Sequence, residues 1–389
     1  MREKEGFALR INIKRGILWK QAEKKAVKIT ALVLVAVVIA AVVVLSGLAI
    51  ARAVEIDNAE NYAIEYGGGR MNVIFMIGDG MGFNHVAAAE ARYGELFFTG
   101  NADVSGEVTT FSRNIFGPTD SAAAATALAT GRKTGNGQIG QYNGKEFQSL
   151  AEVASGRGMS VGIIATEGVD GATPSGFSAH TSSRNDIDGI LEDQLAGGID
   201  LFFGSNAERY VPLKDKIEGA GYTFAESLSQ AQAAEGKVFA AFEEVPPGGS
   251  GGTKPSLSSL TAAALDKLSA DEDGFFLMVE ESHIDKCSHS NDLAGALEHV
   301  RAYDEAVRTA VEYAERIGNT LVIVTADHET GGLQYNGETA DMLNDGMYTR
   351  GSHSSANVPY FVFGDIDYEF ADVMDNTWLS RLCRAVLSA

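Results

Sequence analysis

Short apolar runs alternate with longer segments whose apolar residues recur at helical spacing along most of this 389-residue chain. We predict six strands from the short runs: Val73–Ile77, Ser160–Ala165, Asp200–Phe203, Phe275–Val279, Leu321–Thr325 and Tyr360–Phe363. The longer segments predict three helices between them: Gln148–Ser155, Ser258–Ala270 and Leu293–Arg316. This alternation favours an α/β fold with a doubly wound, mostly parallel sheet and helices on both faces.

A much longer apolar run precedes the alternating region. Ile29–Ala51 contains 23 residues without a charge and follows the basic stretch Lys24–Lys28. Such a run is long enough to be a transmembrane helix, and its basic flank predicts a cytoplasmic N-terminus. The small residues around Arg52 resemble a cleavage site, so a cleaved signal peptide is the alternative to an uncleaved anchor. In both cases we expect the residues after about position 54 to be extracytoplasmic.

Composition divides the chain into three parts. Residues 1–53 contain the basic segment and the apolar run. Residues 54–70 are acidic and polar and end in three glycines, which predicts a linker. Residues 71–389 contain all six predicted strands and form the predicted globular domain.

Charge and cysteine content limit the functions open to this chain. The formal net charge is −21, although the first 28 residues hold nine Lys or Arg against three Glu, so the remainder is more acidic still. So acidic a body argues against nucleic-acid binding, and it repels anionic substrates unless bound cations reverse the local field. The two cysteines, Cys287 and Cys383, do not form a disulfide framework, and their pairing stays open.

Three of the predicted strands end in carboxylates and imidazoles. These residues are Asp79 after the first run, Glu280, Asp285 and His289 at and after Phe275–Val279, and Asp327 and His328 after Leu321–Thr325. A lysine, Lys286, directly follows Asp285. Because the carboxyl ends of parallel strands meet at one edge of a sheet, we predict a shared multi-metal site there. Oxygen and nitrogen donors without a cysteine cluster suit two zinc-like ions and a harder ion such as magnesium. The alternative is that each motif is a solvated strand end.

Three further segments carry residues of the predicted site. Ser121 precedes an alanine-rich stretch that Gly131 would end, which predicts a helix N-terminus at the serine, where backbone amides favour an anion. A serine at this place is commonly only a helix cap, but metal coordination activates a serine hydroxyl as a nucleophile. Arg184 offers a planar cation that binds two phosphate oxygens at once. His353 lies in a loop rich in glycine and serine before the last predicted strand.

Taken together, these segments resemble the alkaline phosphatases across nearly all of residues 71–389. The matching segments, in family order, are IGDGMG at 77–82, TDSAAAATALATGRKT at 119–134, ATPSGFSAHTSSR at 172–184, VEESHIDKCSH at 279–289, TADHETGG at 325–332 and the loop histidine at 353. The resemblance implies hydrolysis of small phosphate monoesters through a phosphoserine at Ser121. A phosphodiesterase or sulfatase on the same scaffold is the alternative. A membrane-tethered metal- or phosphate-binding protein without turnover is the rival from another class.

The resemblance also implies a role for each candidate residue. It implies one zinc site from Asp285, His289 and His353, a second from Asp79, Asp327 and His328, and a magnesium site from Asp79, Thr173 and Glu280. Arg184, oriented by Asp120, would bind the phosphate. Lys286 would contact the phosphate through water.

The chain departs from the family pattern in two places. The family usually has an aspartate or histidine near the magnesium, two residues before Thr173, whereas this chain has Gly171, with Asp170 one position further away. We therefore expect two tightly bound zinc ions and a magnesium that binds more weakly than usual. Only 24 residues separate His328 from His353, where larger relatives insert a subdomain. The chain thus resembles a compact member, and formation of a homodimer stays open.

Overall fold

The N-terminal part of the protein is one long helix. The structure, a computed structural model, describes residues 2–61, 64, 66–364 and 366–389, with side chains from Leu18 onward. It divides into two compact units, Met1–Glu55 and Ile56–Ala389. Helix α1 spans Arg2–Asn61. Its segment Leu18–Asn61 is long and apolar enough to cross a membrane, which is compatible with an anchor or with a signal sequence.

The structure differs from the predicted linker over residues 54–70 in the first part of that segment. Helix α1 continues to Asn61, and Ile56 and Ala59 are buried. The carboxylate of Glu60 pairs with Arg113 at 2.8 Å. Positions 56, 59 and 60 share one helical face, so they pack against the rest of the second unit while Asp57 and Asn58 between them remain exposed.

A sheet of ten strands forms the centre of the second unit. In chain order the strands are β1 (Asn72–Gly78), β2 (Val104–Thr109), β3 (Gln141–Tyr142), β4 (Lys145–Glu146), β5 (Ser160–Ala165), β6 (Leu201–Gly204), β7 (Thr223–Ala225), β8 (Val238–Ala241), β9 (Phe275–Glu281), β10 (Thr320–Thr325), β11 (Glu329–Thr330), β12 (His353–Ser354), β13 (Val358–Phe363) and β14 (Val373–Asp375). The order across the large sheet is β14-β2-β13-β10-β1-β9-β5-β6-β8-β7. The pairs β3–β4 and β11–β12 form two small separate sheets.

Parallel pairing dominates the large sheet. Every neighbouring pair from β10 through β1, β9, β5, β6 and β8 to β7 is parallel, and β14 is parallel to β2. Only β13 runs antiparallel, to both β10 and β2. The six predicted strands correspond to β1, β5, β6, β9, β10 and β13. The predicted fold class, a doubly wound and mostly parallel α/β sheet, is confirmed.

Helices cover the sheet in two groups. After α1 they are α2 (Phe83–Tyr93), α3 (Phe97–Asn101), α4 (Ser121–Thr130), α5 (Leu150–Ser155), α6 (Ala172–Ser178), α7 (Ile187–Ala196), α8 (Ala207–Tyr210), α9 (Lys214–Gly219), α10 (Leu228–Ala233), α11 (Leu257–Leu268), α12 (His283–His289), α13 (Leu293–Ile317) and α14 (Asn376–Ser388). Short 3-10 turns span Val211–Leu213, Ala340–Met342 and Asp345–Met347. Helices α2, α11 and α13 pack together, as do α4, α5, α6 and α14, and both groups contact β1 and β9. The predicted helices correspond to α5, α11 and α13, and both cysteines are free thiols.

The central strands bring their carboxyl ends to one level. Ile77 of β1 pairs with Glu280 of β9 on one side and with Thr325 of β10 on the other. Beneath them, the ring of Phe177 in α6 lies 6.0 Å from that of Phe276, which fixes α6 against the sheet. Side chains that follow these strands therefore meet above a rigid, buried platform.

Candidate metal centre

A tight turn after β1 places Asp79 beside the end of β9. Gly80 has a φ of +78°, and a Cβ there would lie 2.7 Å from the Cα of Asp285, so only glycine fits this position. The backbone N–H of Asp79 donates to the carbonyl of Glu281 at 3.0 Å. This turn holds the Asp79 carboxylate over the sheet edge and lets α12 approach it.

The first donor group consists of Asp285, His289 and His353, whose ligand atoms lie within 4.8 Å of one another. Helix α12 supplies Asp285 and His289 one turn apart. The Nδ1 atoms of His289 and His353 each lie 2.9 Å from a backbone carbonyl, so each Nδ1 carries the proton. The two Nε2 atoms are then unprotonated in the neutral rings, yet they lie 3.1 Å apart. Such opposed lone pairs beside a carboxylate suit a zinc-like cation between them.

The second donor group consists of Asp79, Asp327 and His328, all buried. Nε2 of His328 lies 3.1 Å from Asp327 and 3.6 Å from Asp79. Its Nδ1 lies 3.2 Å from the hydroxyl of Thr330. Among the described residues, Oδ1 of Asp79 and Oδ2 of Asp327 have no hydrogen-bond partner.

Electrostatics in the second donor group favour a bound cation. Burial and the nearby carboxylate of Asp327 raise the pKa of Asp79. Burial and Asp285 raise the pKa of Asp327 to about 6. Burial and His353 lower the pKa of His328 to about 3, so this imidazole is neutral at pH 7. A divalent cation would stabilise such buried carboxylates beside a neutral imidazole. Among the described residues, no cationic side chain pairs with Asp79 or Asp327 at this place.

A third set of donors contains only oxygen. We call Asp79, Thr173 and Glu280 the oxygen group. The Thr173 hydroxyl and both carboxylate oxygens of Glu280 are buried and make no hydrogen bond of good geometry within the described part of the chain, although the hydroxyls of Ser282 and Thr173 lie close enough to the carboxylate to lower its pKa. Burial raises the pKa of Glu280, and the negative charge of Glu167 raises it further. Hard oxygen donors of this kind fit magnesium better than zinc.

Ser121 connects helix α4 to the second donor group. It is the first residue of α4, and the side chain of Asp120 caps the helix by accepting from the N–H of Ala123 at 3.0 Å. The Ser121 Oγ lies 3.3 Å from Nε2 of His328. Gly131 ends the helix with a φ of +69°, as the sequence predicts. The hydroxyl therefore lies between the free amides of a helix N-terminus and the imidazole of a candidate ligand.

Arg184 reaches the same helix end through Asp120. Its guanidinium donates to Oδ2 of Asp120 at 3.3 Å, and this oxygen also accepts from the N–H of Gly137 at 2.9 Å. The backbone N–H of Arg184 donates to the carbonyl of Gly137 at 2.7 Å. Asp120 thus orients the arginine and caps α4 with the same carboxylate.

Lys286 lies in α12, directly after Asp285 of the first donor group. Its ammonium lies 2.5 Å from the carboxylate of Glu167 in the loop after β5. Burial opposes the charge of Lys286, but Glu167 raises its pKa, as do Glu280 and Asp79. The lysine therefore remains positively charged next to the carboxylates.

A further group of donors, which we call the rear group, consists of Glu281, His283 and His299. Glu281 follows Glu280 in β9, so its side chain points to the opposite face of the sheet. It accepts from the hydroxyl of Thr166 at 3.0 Å and lies 3.0 Å from Nδ1 of His299. Burial alone would raise the pKa of Glu281, but the two histidines lower it to about 2. Glu281 is therefore an ionised, hydrogen-bonded residue of the structure.

The structure brings the predicted site residues to one edge of the sheet. They are Asp79, Asp120, Ser121, Thr173, Arg184, Glu280, Asp285, Lys286, His289, Asp327, His328 and His353. Sequence reasoning missed two neighbours, Thr330 and Glu167. Thr330 donates to Asp285 at 2.5 Å, and its place within the segment TADHETGG is the signal that could have found it. Glu167 has no motif or spacing that singles it out.

The fold and the three donor groups define an α/β protein with a candidate multi-metal centre at the carboxyl edge of its sheet. The chain belongs to the alkaline phosphatase family, because the family model described as Alkaline phosphatase matches residues 70–200 and 244–361. Alkaline phosphatase 4 of Bacillus subtilis is 36% identical over 296 residues, which cover 67% of this chain and 62% of that protein. The chain thus spans about six tenths of the length of this curated relative.

Solved structures support the same family. Alkaline phosphatase from the Antarctic bacterium TAB5 superposes with a TM-score of 0.72 and 29% identity, over 82% of this chain and 99% of that one. A histidine-to-aspartate variant of that phosphatase, with a TM-score of 0.70 and 28% identity over the same shares, has Mg bound in its M3 site.

Proposed function

We propose that this chain is a metal-dependent phosphatase that hydrolyses small phosphate monoesters through a phosphoserine at Ser121. The observation that carries the proposal is the position of the Ser121 hydroxyl, 3.3 Å from Nε2 of His328 in the second donor group. A serine that only capped a helix would not need to face a metal-ligand cluster. Membership of the alkaline phosphatase family supports the same chemistry.

The donor groups fit two zinc ions and one magnesium ion. The first and second donor groups each offer carboxylate and imidazole atoms, which suits zinc, and the oxygen group suits magnesium. When bound, these ions would lower the pKa of the attacking hydroxyl, stabilise the leaving oxygen and offset the charge of the phosphate. Asp79 belongs to two of the three groups and would bridge them.

The chain's own residues position the reacting atoms. The Ser121 Oγ would form a bond to phosphorus while the bond from phosphorus to the ester oxygen breaks and the alcohol leaves. A water molecule then attacks the phosphorus, the serine–phosphorus bond breaks, and inorganic phosphate is released. Arg184 would bind two phosphate oxygens and Lys286 would contact the phosphate through water.

Replacement of the serine tests the nucleophile. Ser121→Ala should lower the hydrolysis of p-nitrophenyl phosphate by about 10³-fold or more. It should also abolish covalent ³²P labelling of the protein. Ser250→Ala, in an exposed loop, is the matched control and should behave as wild type. Equal labelling of Ser121→Ala and wild type would show that the nucleophile is another residue.

Substrate and metal tests separate the alternatives. We expect the monoester to be hydrolysed faster than the corresponding diester or sulfate, and faster diester or sulfate hydrolysis would favour the rival enzyme classes. Chelation should remove activity and added zinc should restore it, because neutral imidazoles and carboxylates hold the ions. Zinc and phosphate binding without any release of inorganic phosphate would instead indicate a non-catalytic binding protein.

We also propose that α1 holds the catalytic unit at the outer face of a membrane. Residues 18–61 contain a window of mean hydropathy 3.1, and the described side chains of that window are exposed. Membrane fractionation followed by external protease treatment tests the location. A mature N-terminus near residue 54 in the soluble fraction would favour the cleaved signal peptide. The homodimer stays a prediction, which sedimentation of the purified chain tests.

A further inference from the structure

A carboxylate from elsewhere in the chain occupies the space beside Gly171. A Cβ built on Gly171 would lie 2.5 Å from Oε1 of Glu167 and 3.0 Å from its carboxylate carbon. Glu167 is in the loop that follows β5, four residues before the glycine. Because position 171 has no side chain, the carboxylate of Glu167 can occupy the space beside its backbone.

The neighbouring acidic residue does not fill this space, because other groups hold it. Oδ1 of Asp170 accepts from the hydroxyl of Tyr210 at 2.5 Å, and its other oxygen pairs with Arg209. Both partners belong to α8. Glu167, in contrast, is held by Lys286, whose ammonium lies 2.5 Å from Oε2. The ion pair leaves Oε1 as the oxygen on the side of Gly171.

The loop that carries Glu167 starts beside the oxygen group. Ala165, the last residue of β5, pairs with Glu280, and the backbone N–H of Thr166 donates to the carbonyl of Glu280 at 3.1 Å. Glu167 is the next residue, and Lys286, which holds it, follows Asp285 in α12. A bound magnesium ion usually retains several waters, which need acceptors around the direct ligands.

We propose that Glu167 is a positioning residue of the magnesium site, where its carboxylate takes the space left by Gly171 and accepts hydrogen bonds from water around the ion. Lys286 fixes the carboxylate in this orientation. The inference rests on the proposed function, since that function assigns magnesium to Asp79, Thr173 and Glu280. From the sequence alone, Gly171 predicts weakened magnesium binding. With Glu167 in the space beside Gly171, we expect instead that magnesium binds and that its affinity depends on Glu167.

Magnesium affinity of the zinc-loaded, full-length chain tests this inference. Glu167→Gln keeps the size of the side chain and removes the charge, and it should weaken magnesium binding by about 10-fold or more. Elemental analysis after dialysis against a series of magnesium concentrations measures the affinity. The zinc content should stay at the wild-type value, because Glu167 belongs to neither zinc group. Glu192→Gln is the matched control, since this exposed glutamate also pairs with a lysine, Lys216.

A rescue variant separates a positioning role from general damage. In Glu167→Ala combined with Gly171→Asp, a carboxylate returns to the same space from the other position, so magnesium affinity should recover from the value of Glu167→Ala alone. Unchanged magnesium affinity in Glu167→Gln would overturn the inference, as would a wild-type chain that binds no magnesium. If the wild-type chain still binds zinc and hydrolyses monoesters in either of these two cases, the proposed function stands. If the wild-type chain neither binds zinc nor hydrolyses monoesters, the proposed function fails together with this inference.

Discussion

The contact between α4 and α6 offers a test of how closely the Ser121 helix and the Thr173 helix must pack. Gly176 of α6 lies directly against α4. A Cβ at Gly176 would lie 2.7 Å from the Cβ of Ala125 and 2.9 Å from its carbonyl carbon. Carbon atoms in contact are usually about 3.5–4.0 Å apart, so Gly176→Ala should push the helices apart by about 1 Å.

The expected magnitude follows from this displacement. Overpacking of a buried contact costs about 1–3 kcal/mol, which should lower the thermal unfolding midpoint of a unit of this size by roughly 1.5 to 4 °C. Thr173 lies one turn before Gly176, and Ser121 lies one turn before Ala125. A misplacement of about 1 Å at a reacting centre costs on the order of 100-fold in rate, so kcat/KM should fall by about this factor in the folded variant.

A second glycine-to-alanine change provides the control. A Cβ added at Gly219 of α9 would meet nothing within 4 Å, so Gly219→Ala should leave activity unchanged and raise the midpoint slightly or not at all. Calorimetry, p-nitrophenyl phosphate kinetics and magnesium content would be measured for both variants. If Gly176→Ala matches Gly219→Ala in all three, the two helices tolerate separation and the packing argument is refuted.

Three other changes have defined outcomes. Asp120→Asn keeps a helix cap but removes the half-exposed ion pair with Arg184, which is worth about 0.2–1 kcal/mol. The inhibition constant of inorganic phosphate should therefore rise roughly 1.5- to 5-fold. Tighter inhibition by phosphate would contradict this expectation. Lys133→Met removes the ammonium that lies 2.8 Å from the buried carboxylate of Asp375. The free energy of unfolding, measured with denaturant, should fall by about 3–5 kcal/mol. A fall below about 1 kcal/mol would show that the ion pair is dispensable. The carboxylate of Glu152 lies 3.5 Å from Nε2 of His180 and raises the pKa of the histidine despite burial, while burial opposes the charge of Glu152 but the donor His180 lowers the pKa of this carboxylate overall. The contribution of His180 to stability is therefore complete below about pH 6.5 and is lost as the pH rises through its pKa in the folded protein. The contribution of Glu152 is present above about pH 4.3 and is lost as the pH falls through its pKa in the folded protein. Glu152→Gln should flatten the decline of the thermal midpoint above about pH 6.5, and an unchanged slope would exclude this pair as its source.

The strands of the sheet centre were predictable because they are buried on both faces. Strands such as β1 and β10 are almost continuous apolar runs, and polar residues follow directly where each strand ends. The candidate ligands could be placed together for the same reason, since parallel strands share a carboxyl edge. The short strands β2, β7 and β14 were missed because they are brief and partly polar or exposed.

The surroundings of the proposed magnesium site were not predictable from spacing. Asp170 is closer to Gly171 in sequence than Glu167 is, and only the folded chain shows that Tyr210 and Arg209 hold Asp170 elsewhere. Such a choice depends on side chains that are far apart in sequence, since Arg209 and Tyr210 are 39 and 40 residues away from Asp170. Lys286, which holds Glu167, is 119 residues away from it. Periodicity and motif order contain no information about these contacts.

The two adjacent glutamates at the end of β9 leave this strand no freedom to shift. Glu280 belongs to the oxygen group on one face of the sheet, while Glu281 points toward His299 on the other face. A slip of one residue against β1 and β5 would bring Glu281 into the oxygen group in place of Glu280, and Ser282 would then face the histidines, which would lose their anion. Insertions and deletions in this part of the chain are therefore tolerable only in the loops, and the length of β9 is itself a functional constraint.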